Sequence, residues 1–173
     1  MVTLALLRHA KSSWGDPGVA DFDRPLNERG RLAAPLMGKV ISDLKLVPDL
    51  ILCSSAMRTR QTLDLLLPEL MPWPSRRIRH LEEIYHGSPL RMLELIHEAS
   101  PHASTILLVG HNPGLHVLAV SLVGSGESIA RERLSRKYPT AALAVLDFEG
   151  SKWSNVAPEM GCLRSFITPK DRA

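Results

Sequence analysis

At 173 residues, with 45% apolar and 23% charged side chains, the chain has the composition of an ordinary globular protein and the length of one domain. Its longest unbroken apolar run, Ala141 to Leu146, falls far short of the roughly 20 residues needed to cross a bilayer, which argues against a membrane protein. Lys and Arg outnumber Asp and Glu by 21 to 18, a mildly basic balance that suits an anionic ligand, while aromatics at 5% are too sparse for base-stacking platforms and argue against a nucleic-acid partner.

In chain order, Val2 to Leu7 reads as a first strand; it runs into Arg8 and His9 without a basic leader or a cleavage-like site, so the expected setting is cytoplasmic. Asn27 is placed to cap a helix running toward Leu44, with Leu32, Leu36, Val40 and Leu44 on one face and Pro35 expected to kink it or delay its start. Leu50 to Cys53 is a second strand, followed by a helix that Ser55 would cap and on which Leu63, Leu66, Leu67 and Leu70 recur at helical spacing. A short basic strand is expected around Ile78. Ser88 followed by Pro89 signals a helix over Leu90 to Ala99, Thr105 to Val109 is a further strand, and Asn112 followed by Pro113 opens a helix to Val123. Gly124-Ser125-Gly126 reads as a loop without the lysine of a nucleotide-binding loop, and the basic run Arg131, Arg133, Arg136 and Lys137 as a solvated face. Ala141 to Phe148 is another buried strand, and Trp153 to Phe166 a late strand or hairpin. Strands alternating with crossover helices predict an α/β fold, a three-layer α/β/α sandwich with a mostly parallel central sheet, as one domain over 1–173.

In such a sheet, ligands bind beyond the carboxyl ends of the strands, so the informative residues are those that directly follow each strand. Arg8 and His9 follow the first, Ser54, Ser55 and then Arg58 the second, and Gly110, His111 and Asn112 the strand from Thr105. Two arginines offer planar forks of donors, and helix starts beside Arg58 and His111 add backbone N–H groups, a combination suited to a phosphoryl dianion. A neutral imidazole attacks phosphorus, and an imidazolium hydrogen-bonds the equatorial oxygens as charge develops; His9 is assigned the first role and His111 the second. The other histidines form no H-E-x-x-H pattern, Cys53 and Cys162 are isolated, and no G-x-G-x-x-G follows a strand, so neither a metal nor a cofactor is expected.

Leu6-Leu7-Arg8-His9-Ala10, Ser54-Ser55-Ala56-Met57-Arg58-Thr59-Arg60-Gln61-Thr62 and Gly110-His111-Asn112-Pro113-Gly114 resemble the three signatures of the histidine phosphatase superfamily, whose fold is phosphoglycerate mutase-like. Asp23-Arg24-Pro25-Leu26-Asn27-Glu28-Arg29-Gly30 and the short chain look most like its SixA-type branch of protein phosphohistidine phosphatases. The resemblance implies a cofactor-independent phosphatase with His9 as nucleophile and Arg8, Arg58 and His111 around the phosphate. Arg24, Ser12 and Asn112 join Arg8 and Arg58 as candidate substrate-binding residues. Glu83 matches the family's acid in a Leu-x-Glu position, and stays open between proton donor, pocket-shaping carboxylate and exposed side chain. Gly15 stands where phosphoglycerate mutases carry a phosphate-contacting Asn, which counts against mutase activity. The short stretch from Glu83 to His111 leaves no room for a cap domain. The expected substrate is phosphohistidine on a protein; the alternatives are a small-molecule phosphomonoesterase and a phosphate-binding module without turnover.

Overall fold

Strand β1 (Val2–Arg8) is buried from Val2 to Leu7 because its side chains alternate between two covered faces. The structure, a computed structural model, describes residues 1–70, 77–99, 101–150 and 152–172. Among these residues, β1 joins β2 (Leu50–Ser54), β3 (Ile78–Leu81), β4 (Thr105–Gly110), β5 (Val123–Gly126), β6 (Leu143–Phe148) and β7 (Gly161–Ile167) in one sheet of order β3-β2-β4-β1-β6-β7-β5. All neighbours pair in parallel except β6, which runs antiparallel between β1 and β7. The mostly parallel sheet of the expectation is therefore present, with its Ala141 to Phe148 segment reversed.

Alternation assigns the layers. Ala5, Leu7, Ile51, Cys53, Leu107 and Val109 pack with Ala34, Met37, Val40 and Ile41 of α1 (Glu28–Asp43) and Leu63 and Leu66 of α2 (Met57–Leu66). On the opposite face, Leu4, Leu6, Leu50, Leu52, Ile106 and Leu108 meet α3 (Pro89–His97), α4 (Gly114–Leu122) and Leu134 of α5 (Ser128–Arg136). This is the three-layer α/β/α sandwich.

Several local expectations need correction. Asn27 caps α1 by accepting from the Gly30 N–H at 2.9 Å, and Pro35 lies inside the helix without delaying its start. Its missing N–H costs one hydrogen bond, and the row Ala34, Met37, Val40 and Ile41 holds the helix to the sheet on either side. The buried stripe is that row, so Leu32 lies 70% exposed. Ser55 is not a cap: α2 starts after Ala56 with no side-chain cap, and the Ala56 N–H goes to Ser54 Oγ at 3.3 Å. Nor is Asn112, whose Nδ2 donates to the Tyr138 carbonyl at 3.0 Å while Pro113 precedes α4. By contrast, Asn27, Ser88 and Glu127 each cap their helix with a side-chain oxygen.

The segment read as a loop at Gly124-Ser125-Gly126 is β5, paired with β7. Its glycines hid it: Gly126 has φ +124° and a Cβ there would stand 2.6 Å from the Leu163 carbonyl oxygen. The basic run lies on α5 and its C-cap Lys137, and Leu134 is the helix's one buried residue. Trp153 belongs to a 3₁₀ turn, its indole N–H donating to the Ala103 carbonyl at 2.6 Å, and only β7 of the predicted late segment is a strand.

Candidate active site

Parallel register brings the strand ends to one edge. Arg8 pairs with Gly110 and Ser54 with Leu81, so His9, His111 and the start of the Glu82–Ile84 turn leave the sheet together. The His9 N–H donates to the Gly110 carbonyl at 3.1 Å, extending the ladder by one rung, and the two imidazole centroids lie 5.1 Å apart. Both rings are buried.

His9 Nδ1 stands 2.7 Å from the Ala10 carbonyl oxygen, which only accepts, so Nδ1 carries the proton and Nε2 keeps its lone pair. Burial, with Arg58, Arg8 and Arg24 nearby, lowers the His9 pKa to about 3 despite that hydrogen bond, leaving a neutral ring with a nucleophilic nitrogen at ordinary pH. Ala10 sits here with an ordinary φ; among the described residues the non-glycine positions with positive φ are Lys45, His86, Ala141 and Glu159. The Ala10 N–H in turn donates to Thr62 Oγ1 at 3.0 Å, tying the segment after His9 to α2.

Burial, then the neighbouring His9 and Arg58, lowers the His111 pKa to about 2. The imidazolium expected from sequence is therefore not the form the protein alone favours; it needs an anion's charge beside it. Arg58, buried on α2, donates from Nη1 to the Asp21 carbonyl at 2.6 Å and from Nη2 to Asp21 Oδ2 at 3.0 Å. Arg24, also buried, reaches Asp21 Oδ1 at 3.1 Å and Ser12 Oγ at 3.4 Å, and its guanidinium carbon lies 3.3 Å from the ring centre of exposed Trp14. Arg8 donates to the Tyr138 carbonyl at 2.9 Å.

What these arginines leave over is informative. Arg8 Nε, Arg58 Nε, Arg24 Nε and Nη1, and His111 Nδ1 are buried with no protein partner, beside one unpartnered acceptor, Asn112 Oδ1. Buried donors are rarely left unpaired, and the four arginine N–H groups gathered at one sheet edge suit an anion with several oxygens. Of the helices that begin near this edge, α2 and α4 lack a side-chain cap, so their first N–H groups are not taken up by a capping oxygen.

Two residues of the site were not singled out from sequence. Asp21 bridges Arg24 and Arg58, and the Tyr85 hydroxyl donates to its Oδ2 at 2.7 Å; that bond and Arg58 hold the Asp21 carboxyl below its usual range. The Tyr85 ring stands edge-on to Phe22 and His111 at centroid distances of 4.9 and 5.6 Å. The available signal was the carboxylate three residues before Arg24. Among the expected residues, Ser12 is buried against Arg24, Asn112 has its amide donor on Tyr138, and Glu83 lies half exposed with its carboxylate 3.6 Å from Arg91. A cleft of about 250 Å³ opens beside His111, lined by His86, Gly87, Ser88 and Pro89 on its other wall. Among the described residues no group of three or more His, Cys, Asp and Glu could hold a metal ion.

The model of the histidine phosphatase superfamily (branch 1) matches residues 4–92. An uncharacterized protein of Mycobacterium tuberculosis is 36% identical over 95% of this chain and 100% of its own length. Among solved structures, a candidate phosphohistidine phosphatase SixA from Agrobacterium tumefaciens is 33% identical, with a TM-score of 0.81 over 97% of this chain and 98% of its own. A second candidate SixA, from Nakamurella multipartitia, is 31% identical, with a TM-score of 0.83 over 97% and 96% of the two chains.

Proposed function

The chain belongs to the histidine phosphatase superfamily, branch 1, and from that premise we propose that it hydrolyses phosphohistidine on proteins through a phosphohistidine formed on its own His9. His9 Nε2 attacks phosphorus as the P–N bond to the substrate imidazole breaks, and that imidazole, already protonated on its other nitrogen, leaves as a neutral ring while His9 carries the phosphoryl group. Water then attacks the phosphoryl group on His9, releasing inorganic phosphate and restoring the neutral ring. Arg8, Arg24, Arg58 and His111 bind the equatorial oxygens and stabilise charge as it develops in both steps. Asp21 holds two of those guanidinium groups in place, and no cofactor takes part.

The observation that carries this reading is the tautomer of His9: its Nδ1–H is bound to Ala10, so its Nε2 lone pair is free, in a ring close enough to Arg58, Arg8 and Arg24 to feel their charge. The substrate class rests on likeness to the SixA proteins and on the short stretch between Glu83 and His111, where α3 and β4 occupy most of the chain and leave the site open to a phosphate carried on a protein surface. The thiols of Cys53 and Cys162 are both free, which suits the reducing cytoplasm. The alternative, a small-molecule phosphomonoesterase, draws on the cleft beside His111.

Turnover of a radiolabelled phosphohistidine peptide, quenched in alkaline denaturant that spares P–N bonds, should leave acid-labile phosphate on His9. Acid-stable phosphate on Ser12, Ser54 or Ser55, or labelling that survives His9→Ala, would overturn the mechanism.

A further inference from the structure

Ser54 ends β2, is fully buried, and has its hydroxyl 2.8 Å from His111 Nε2. A serine hydroxyl has one hydrogen to give and two lone pairs to receive with. Among the described residues, the partners of Ser54 Oγ are the Ala56 N–H, at 3.3 Å, and His111 Nε2. The amide can only donate, so it takes a lone pair. Were Nε2 protonated as well, the hydroxyl hydrogen would be left in a buried site without an acceptor, at a desolvation cost. The arrangement that satisfies every atom has the hydroxyl donating to Nε2. A neutral His111 then carries its proton on Nδ1, the ring nitrogen that is buried and without a protein partner.

We propose that Ser54 is a positioning residue that fixes the tautomer of His111, so that Nδ1–H is the donor this ring presents to the phosphoryl group. The inference rests on His111 being a phosphoryl ligand, as in the function proposed above. His9 and His111 then share one tautomer and turn opposite atoms to the substrate. Ala10 ties up the proton of His9 and exposes a lone pair; Ser54 ties up the lone pair of His111 and exposes a proton. Without Ser54, the ring is free to protonate Nε2 and turn the Nδ1 lone pair toward a dianion, which repels it.

The test begins with a readout independent of turnover. In protein labelled with ¹⁵N histidine at pH 7, the His111 signals should be those of the Nδ1–H tautomer in wild type and a mixture of tautomers in Ser54→Ala. Titration with orthovanadate should shift the wild-type Nδ1–H resonance. An Nε2–H tautomer in wild type, an unchanged tautomer in Ser54→Ala, or no shift with vanadate would each overturn the proposal. On phosphohistidine peptide, Ser54→Ala should lose about 10-fold or more in kcat, less than removal of a complete transition-state donor. The same substitution in a His111→Ala background should cost nothing further, and fully additive losses would overturn the pairing. Failure to trap phosphate on His9 would sink the proposed reaction while leaving the tautomer assignment standing.

Discussion

His9 and His111 are neutral rings in the folded protein and ordinary bases once it unfolds, which makes stability depend on pH. In the unfolded chain each takes up a proton as pH falls through about 6.5. In the fold, burial lowers their pKa values to about 3 and about 2, so below pH 6.5 the unfolded state holds the extra protons. More protons bound to the unfolded state means that stability falls as pH falls, by up to about 1.4 kcal/mol per pH unit for each histidine. Asp21, whose folded pKa is lowered, adds its own loss only at more acid pH, as its carboxylate is protonated. Urea unfolding followed from pH 7 to 5 therefore isolates the histidines: wild-type stability should decline across that window, and His111→Ala should decline less steeply. Equal slopes for the two proteins would show that His111 is not the buried base described.

Helix α1 meets the segment after His9 through a glycine. Gly30 lies in its first turn, and a Cβ there would overlap the Lys11 carbonyl oxygen and stand 2.9 Å from the Lys11 nitrogen. Lys11 follows Ala10, whose carbonyl holds His9, so Gly30→Ala should push that segment out of line and lower kcat about 10-fold or more. At Gly15, the nearest atom to an added Cβ is 3.6 Å away, so Gly15→Ala should leave kcat unchanged. Comparing the two variants separates backbone displacement from the general effect of losing a glycine. Elements of this kind differ in how plainly they show in sequence. β1, β2 and β4 are apolar runs ending directly in Arg8-His9, Ser54-Ser55 and Gly110-His111, so strand and site were legible together. β5 was not, because the close approach to β7 demands glycines that erase the apolar pattern. α5 buries Leu134 alone among its residues, and one apolar position makes no periodicity. Asp21 offered only its place three residues before Arg24; that it also holds Arg58, 37 residues further on, nothing in the sequence announces.

For the molecule as a whole, the open question of chemistry is which leaving group the site is built to release. Glu83 lies on the turn after β3 and faces Arg91, at the side where the chain enters α3. An alkyl phosphate expels an alkoxide that needs a proton as the bond breaks, so an acid at Glu83 would be worth about 10² or more on such substrates. An imidazole leaving group can carry its proton before departure. Wild type should therefore turn over phosphohistidine peptide far faster than alkyl phosphates, and Glu83→Gln should widen that gap, read as kcat/KM on both. Equal losses would make Glu83 a residue that shapes the pocket through Arg91.

The last rung of the β1–β4 ladder, where the His9 N–H meets Gly110, has a practical consequence for how the protein ages on heating. The distance between the two imidazoles is set by hydrogen-bonded backbone at the centre of the sheet, whose opening requires the whole core to come apart. Shelf life and folding should thus be one property: residual turnover after brief heating should track the loss of ellipticity degree for degree. A population that stays folded yet idle would place the point of failure elsewhere, in the segment that brings Arg24 and Asp21 to the arginine cluster.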